Sequence, residues 1–343
     1  MKRGKGTALF LVFLLVGCQP QEVDKPLYRV DYTDLTMGTQ FTVKIPHLPD
    51  TVTPQALKDL IKLRLNELDS QFSTYQSTSE ISRVNAQPSG QWITVTPAFA
   101  KVLTEAVRIN KLSHGAFDPT IGPLVNLWGF GPDPSEAEIP AREKIQSLLA
   151  VTGTENMAWD ASRLTFKKLK DNLFLDFSAL AKGYAVDEIA HLLEGHQVNN
   201  FMIEIGGELR LKGVSGAGRS WRIAVEKPTV DRRSIQQILA VSDVAIASSG
   251  DYRNYFEKAG VRYSHTIDPR TGYPIAHTVV SVTVLHKSTM TADAFATTFM
   301  VLGEEKGLEL AKQQNLAVLF ILKTDDGFVE RSTPQYQLLE QVH

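Results

Sequence analysis

Cysteine is almost absent from this chain. Cys18 is the single example in 343 residues, which excludes an internal disulfide, a Cys-x-x-Cys redox pair and a four-cysteine zinc site. An excess of either charge is missing as well, since 36 Lys and Arg face 38 Asp and Glu. With no basic surplus to attract a polyanion, nucleic-acid binding is not expected. Glycine (23) and proline (16) are too few and too scattered for a fibrous or low-complexity protein. No apolar stretch approaches the roughly 18–20 residues that a membrane-spanning helix needs. Familiar fingerprints are lacking too: there is no Walker A sequence, no His-Glu-x-x-His and no Gly-x-Ser-x-Gly. Gly213-Val214-Ser215-Gly216-Ala217-Gly218 is glycine-rich, but no helix pattern follows it, so it reads as a hairpin turn. What is present is 43% hydrophobic and 22% charged residues, the balance of a packed globular body.

The lone cysteine sits in a telling place. Met1-Lys2-Arg3-Gly4-Lys5 is basic, and Ala8 to Val16 runs without a charge before Leu15-Val16-Gly17-Cys18. The apolar run is too short to span a bilayer and fits the h-region of a signal peptide. Its end looks like a bacterial lipobox, in which the cysteine is acylated and becomes the first residue of the mature chain. The alternative is an inert cysteine in an ordinary first helix. The expected organisation is therefore a signal peptide over 1–17, an anchored tether over 18–27 and one domain over 28–343. Several acyl chains hold a protein at the lipid bilayer where one would be marginal. The expected location is the periplasmic side of the inner membrane. Gln19, rather than aspartate, follows the cysteine, which leaves the choice between the two membranes open.

Along the chain, Tyr28 to Ile45 alternates and predicts two strands around Met37-Gly38-Thr39. Leu57, Leu60, Ile61, Leu65 and Leu68 recur at helical spacing behind Thr53-Pro54. Gln71 to Gly90 reads as irregular, Trp92 to Val95 as a short strand and Pro97 to Leu112 as a helix. Gly115 to Gly131 reads as an ordered loop, and residues 133–142 as an acidic surface excursion. Met157 to Asp176 predicts a hairpin and Ala179 to Glu194 a helix. Strands are predicted at Phe201–Ile205, Leu209–Lys212, Trp221–Glu226, Ile238–Ala247, Tyr263–Ile267, Val279–Leu285, Ala317–Leu322 and Phe328–Arg331. Helices are predicted at Thr289–Val301 and Glu304–Gln314. Strands cluster through hairpin turns instead of alternating with helices, which favours an α+β fold with mixed or antiparallel sheets and flanking helices. No repeat or linker divides the chain, so a single compact domain, with room for two lobes, is expected.

Six clusters concentrate turn residues and polar groups. They are Gly115-Ala116-Phe117-Asp118-Pro119-Thr120-Ile121-Gly122-Pro123, Asp176-Phe177-Ser178-Ala179-Leu180-Ala181-Lys182-Gly183-Tyr184, Ile205-Gly206-Gly207-Glu208, Ser248-Ser249-Gly250-Asp251-Tyr252, His265-Thr266-Ile267-Asp268-Pro269-Arg270-Thr271-Gly272 and Thr291-Ala292-Asp293-Ala294-Phe295-Ala296-Thr297-Thr298. On a helix, Asp293 and Thr297 share one face and offer hard oxygen donors suited to Mg²⁺ rather than zinc. Asp293 capping or solvating its helix is the competing reading. A helix beginning at Ala179 would turn backbone N–H groups and a positive dipole end toward an anion, with Lys182 adding charge. Plain capping by Ser178 or Asp176 competes with that. His265 alone, as a lone histidine, reads more readily as structural than as catalytic.

Taken together, the order and wording of these clusters resemble the ApbE family, the FAD:protein FMN transferases of bacterial envelopes. The resemblance spans Tyr32 to Thr324. It implies an FAD site lined by Met37, Tyr75, Ala116, Phe117, Asp118, Asp176, Lys182 and Ile267. It implies Mg²⁺ held by Asp293, Thr297 and the Ala179 carbonyl, and a catalytic histidine at His265. The implied reaction moves FMN from FAD onto a threonine or serine hydroxyl of an acceptor protein and releases AMP. The implied acceptors carry a Ser/Thr-Gly-Ala-Thr-type motif and belong to Na⁺-pumping NADH:quinone reductase or Rnf-type complexes. Phe117, Tyr75 and Met37 are apolar enough to hold a flat ring. The rival reading is an electron-carrying, flavin-binding envelope lipoprotein without transferase activity.

Overall fold

The computed structural model describes residues 29–131, 138–228, 235–251, 255–258 and 260–340. Cys18 with its leader and tether, and residues 133–137 of the acidic excursion, lie outside the described residues.

Strands β1 (Val30–Thr36) and β2 (Thr39–Ile45) form a hairpin. Met37 (φ 48°) and Gly38 (φ 73°) supply the two positive φ angles that a tight primed turn requires. Helix α1 (Pro54–Phe72) starts where Thr53 Oγ1 accepts the Ala56 N–H. It buries Leu57, Ile61, Leu65, Leu68 and Phe72 along one stripe. Next come α2 (Glu80–Ala86), β3 (Ile93–Thr94), α3 (Pro97–Leu112), α4 (Gly122–Leu127), α5 (Arg142–Leu149), β4 (Met157–Asp160) and β5 (Thr165–Lys168). Helix α6 (Ala181–Gly195) precedes β6 (Phe201–Ile205), β7 (Glu208–Lys212), β8 (Trp221–Glu226), β9 (Ile235–Val241) and β10 (Val244–Gly250). The chain ends with β11 (Tyr255–Lys258), β12 (Val261–Ser264), β13 (Ile267–Asp268), β14 (Tyr273–Pro274), β15 (Val279–His286), α7 (Thr289–Gln313), β16 (Ala317–Thr324), β17 (Gly327–Ser332) and α8 (Pro334–Glu340).

Several expectations needed correction. The stretches expected to be irregular hold α2 and α4, and α5 and α8 were not foreseen. The apolar run Ile238–Ala247 is two strands, because Asp243 turns the chain at φ 54°. The run Tyr263–Ile267 breaks between Ser264 and Ile267, which puts His265 in an irregular step rather than a strand. Gly303, at φ 75°, interrupts α7 and divides it where two helices were expected.

Eight strands form one sheet in the order β1-β2-β6-β7-β10-β15-β16-β17, every neighbouring pair antiparallel. One face carries the main core, shared with α1, α3, α6 and α7. The other face packs Leu211, Ile246, Leu285 and Ile321 against Trp221 and Leu239 of the β8–β9 hairpin and Tyr336 of α8. Strand β15 is accordingly buried on both faces, seven of its eight residues fully so. The two cores use opposite faces of one sheet, so the α+β architecture is a single domain. Among the described residues no helix is long and apolar enough to cross a membrane.

Candidate active site

A cavity of about 430 Å³ opens where the loops before α4, α6 and β13 meet the first half of α7. Of the residues proposed from sequence it gathers Tyr75, Ala116, Phe117, Asp118, Asp176, Ala179, Lys182, His265, Ile267, Asp293 and Thr297. Met37 is not among its lining residues. That side chain packs on the edge of the main core instead. Of the two rings expected to hold a flat ligand, Phe117 is 3% exposed and belongs to the core, whereas Tyr75 is 75% exposed at the cavity. Tyr75 therefore presents the more open face, while Phe117 lines the cavity from the core side.

Local chemistry explains why these loops hold their shape. At the end of α3, Ser113 Oγ accepts the Phe117 N–H (3.0 Å) and Asn110 Nδ2 donates to the Phe117 carbonyl (2.7 Å). Asp118 Oδ1 accepts both the N–H and the hydroxyl of Thr120, at 2.8 and 2.6 Å. The Asp176 N–H donates to the Pro119 carbonyl (2.7 Å), joining this loop to the one before α6. The two loops approach so closely that a Cβ at Gly122 would lie 2.7 Å from the Phe174 ring. Asp268 accepts from the backbone N–H and guanidinium of Arg270, and Trp128 Nε1 donates to the Gly272 carbonyl (2.9 Å). His265 stands beside this turn with Phe130 edge-on at 6.2 Å.

The start of α6 departs from expectation. The helix begins at Ala181, and its cap residue Leu180 makes no side-chain cap hydrogen bond. Neither Ser178 nor Asp176 caps it; Asp176 accepts from the Ser178 N–H and hydroxyl instead. The Gly183 N–H donates to Asp293 Oδ2 of α7 at 3.0 Å. Thus a carboxylate of the protein already occupies the expected anion site. The contact requires glycine, since a Cβ at Gly183 would fall 2.5 Å from the Thr289 carbonyl oxygen. In return, Asp187 of α6 caps α7: it accepts from the Ser288 hydroxyl (2.7 Å), the Thr289 N–H (2.8 Å) and the Met290 N–H (3.1 Å).

Lys182 is committed as well. Its Nζ lies 2.6 Å from Glu208 Oε1. Glu208 is a lining residue that sequence reasoning did not select, although its Gly206-Gly207-Glu208 turn was visible. Burial pushes the Glu208 carboxyl up to about 8, with Lys182 opposing and Asp293 reinforcing the shift. Burial likewise raises the Asp293 carboxyl, against the pull of Lys182. Burial alone would lower Lys182, but Glu208 and Asp293 outweigh it and hold the ammonium above the usual lysine range. Asp118 is also raised, by burial, with Thr120 opposing. Ser248, Ser249 and Gly250 complete the wall.

Among the described residues, no group of three or more His, Cys, Asp and Glu side chains is arranged to hold a metal ion. The residues that could supply oxygen donors are mixed in kind: Asp293, Thr297 and Ala179 all line this cavity. The hydroxyl of neighbouring Thr298 is spent on the Ala294 carbonyl (2.7 Å). Glu208, whose Oε2 is buried without a hydrogen-bond partner, lines the same cavity. All-oxygen donors and surplus negative charge fit a hard divalent cation.

The chain is similar to known proteins over nearly its whole length. The model of the ApbE family matches residues 37–320. A Vibrio cholerae serotype O1 protein named FAD:protein FMN transferase is 46% identical over 330 residues, covering 96% of this chain and 97% of its own. The Escherichia coli K12 protein of that name is 36% identical over 334 residues, covering 96% and 95%. Among solved structures, the flavin transferase ApbE from Vibrio cholerae matches with a TM-score of 0.84 at 45% identity, over 90% of this chain and 98% of its own. The apo form of Pseudomonas stutzeri flavinyl transferase ApbE gives 0.83 at 39% identity, over 90% and 96%.

Proposed function

This chain belongs to the ApbE family, and on that premise we propose that it transfers FMN from FAD to a side-chain hydroxyl of an acceptor protein. The observation that carries the reading is the convergence, from Tyr75 to Thr297, of the sequence motifs on one cavity with an exposed aromatic face, a charge cluster and a histidine. The acceptor oxygen attacks the FMN phosphorus of the pyrophosphate, forming a phosphate ester. The phosphorus–oxygen bond to AMP breaks and AMP leaves. The hydroxyl proton must go to a base, because an alcohol is a poor nucleophile at its own pKa. His265 takes that role, since imidazole exchanges protons near neutral pH.

Tyr75 offers its ring to a flat ligand surface, and Asp118 and Asp176 offer carboxylates to hydrogen-bond donors on the ligand edge. Asp293, Thr297 and the Ala179 carbonyl would hold Mg²⁺, which would neutralise charge developing on the pyrophosphate. The acceptor would be a threonine or serine in a Ser/Thr-Gly-Ala-Thr-type motif, on subunits of Na⁺-pumping NADH:quinone reductase or Rnf-type complexes. Acylated Cys18 would tether the enzyme to the periplasmic side of the inner membrane, where such subunits are reached. Support for acceptor class, cation and anchor comes from the resemblance of the motifs and leader.

Mixing the protein with FAD, Mg²⁺ and an acceptor bearing the threonine motif should add the mass and in-gel fluorescence of FMN to the acceptor. Binding of FAD with an acceptor that never gains FMN would overturn the transferase reading in favour of a flavin carrier. His265→Ala should lose transfer far more than FAD binding; equal loss of both would make His265 a structural residue.

A further inference from the structure

Glu208 is built into the cavity with more care than its single ion pair explains. The Gly206-Gly207 turn has φ values of 60° and 106°, which suit a two-residue hairpin between β6 and β7. This turn makes Glu208 the first residue of β7, paired across from Ile205. A Cβ at Gly206 would stand 2.8 Å from the Thr39 methyl and 3.4 Å from Lys182 Cδ, so glycine lets the lysine stem pass. Glu208 is only 3% exposed. Its Oε1 receives the Lys182 ammonium, while Oε2 is buried without a hydrogen-bond partner.

A buried carboxylate with one orphaned oxygen is costly, and a buried ion pair is seldom retained for stability alone. Asp293 lines the same cavity and acts electrostatically on both members of the pair. One ammonium thus answers to Glu208 in contact and to Asp293 and Glu204 through space, so the cluster carries excess negative charge when ionised. A hydrogen-bond donor is needed at Oε2, and a positive charge is needed by the cluster. A hydrated divalent cation supplies both.

We propose that Glu208 is a positioning residue of the cation centre: its Oε2 accepts a hydrogen bond from a water molecule carried by the divalent cation at Asp293 and Thr297. This rests on the reading that a cation works in this cavity. Partners of that kind orient the first coordination shell, and losing one typically costs about 10–100-fold in metal affinity.

The test is a titration of the full-length protein with Mn²⁺ alone, free Mn²⁺ being counted by its paramagnetic resonance signal. Glu208→Gln keeps shape and still offers Lys182 a carbonyl oxygen, yet turns Oε2 into a donor. It should weaken Mn²⁺ binding about 10–100-fold. Lys182→Met removes the competing positive charge and should tighten binding. Loss of packing at the pair would weaken both variants, so the opposite signs exclude a merely structural role. Wild-type affinity in Glu208→Gln, or weakened binding in Lys182→Met, overturns the proposal. Should Glu208→Gln fail to fold, Glu208→Asp, which keeps the charge but withdraws the oxygens by one methylene, should also weaken Mn²⁺ binding, and wild-type affinity in that variant overturns the proposal. A wild-type protein that binds no Mn²⁺, and transfers FMN without any divalent cation, overturns the cation reading itself.

Discussion

Asp187 and Asp293 belong to the same pair of packed helices, and each reaches across to the N-terminus of the other's helix. Asp187, on α6, has both oxygens engaged by three donors at the start of α7. Asp293, on α7, takes one donor from α6, the Gly183 N–H, and no hydrogen bond to its other oxygen is present among the described residues. Both are buried, at 8% and 5% exposure. Burial raises the Asp293 carboxyl, and its one backbone hydrogen bond and the nearby ammonium do not reverse the shift. The difference between the two carboxylates is therefore completeness. A buried carboxylate whose acceptors are filled by the fold is a fastener. One left with spare capacity beside a cavity is available to a ligand.

The sharpest way to break this comparison is to neutralise each carboxylate in turn. Asp293→Asn keeps an oxygen for the Gly183 N–H but removes the charge. It should leave the metal-free unfolding midpoint near wild type while cutting FMN transfer by about 10³-fold, the several kcal/mol that a cation contributes to phosphoryl chemistry. Transfer at the wild-type rate would show Asp293 to be another fastener. Asp187→Ala should do the converse. It strands the first N–H groups of α7 and should cost about 2–4 kcal/mol in chemical denaturation, the sum expected for a lost cap and buried orphaned donors. Its transfer rate per folded molecule should change less than that of the Asp293 variant. A stable Asp187→Ala protein with no activity would reverse the assignment of the two residues.

This distinction lay beyond sequence reading for a concrete reason. Each carboxylate is defined by partners roughly a hundred residues away: Gly183 lies 110 positions from Asp293, and Thr289 lies 102 from Asp187. What was legible was local. Thr53-Pro54 marked α1, the stretch from Pro97 to Leu112 marked α3, and alternating apolar residues marked most strands of the main sheet. The short helices α2, α4, α5 and α8 were hidden because one or two turns carry little periodicity. Their stability comes from tertiary contacts, such as Leu124 and Ile145 packing around Trp128. The apolar run Ile238–Ala247 masked a turn because the left-handed residue there is Asp243, not glycine. The site was legible because its residues sit in turn-forming motifs. Two positions were not legible at this level: Met37 stands at a hairpin turn outside the cavity lining, and Phe117 lines the cavity while also packing in the core, because a core ring and a ligand ring look alike in sequence.

Glu105 sharpens the comparison with a smaller effect of definite sign. It lies on α3 and its side chain is 13% exposed. Arg108 donates to both its oxygens at 2.7 and 2.8 Å, and the Thr291 hydroxyl from the first turn of α7 donates at 2.6 Å. Burial would raise its pKa, but these donors more than compensate and hold the carboxyl below its ordinary value. The unfolded chain therefore binds this proton more readily than the folded one. The resulting stabilisation is complete above the ordinary glutamate range and disappears as pH falls through the lowered folded value. Glu105→Gln should cost about 1–2 kcal/mol at neutral pH, the worth of hydrogen bonds to a charged acceptor. Near pH 3, where unfolded glutamate is about fully protonated, the gap to wild type should shrink. A gap that stays constant across this range would mean that Glu105 acts through packing alone, and that filled acceptors are not what separates the fasteners from the site.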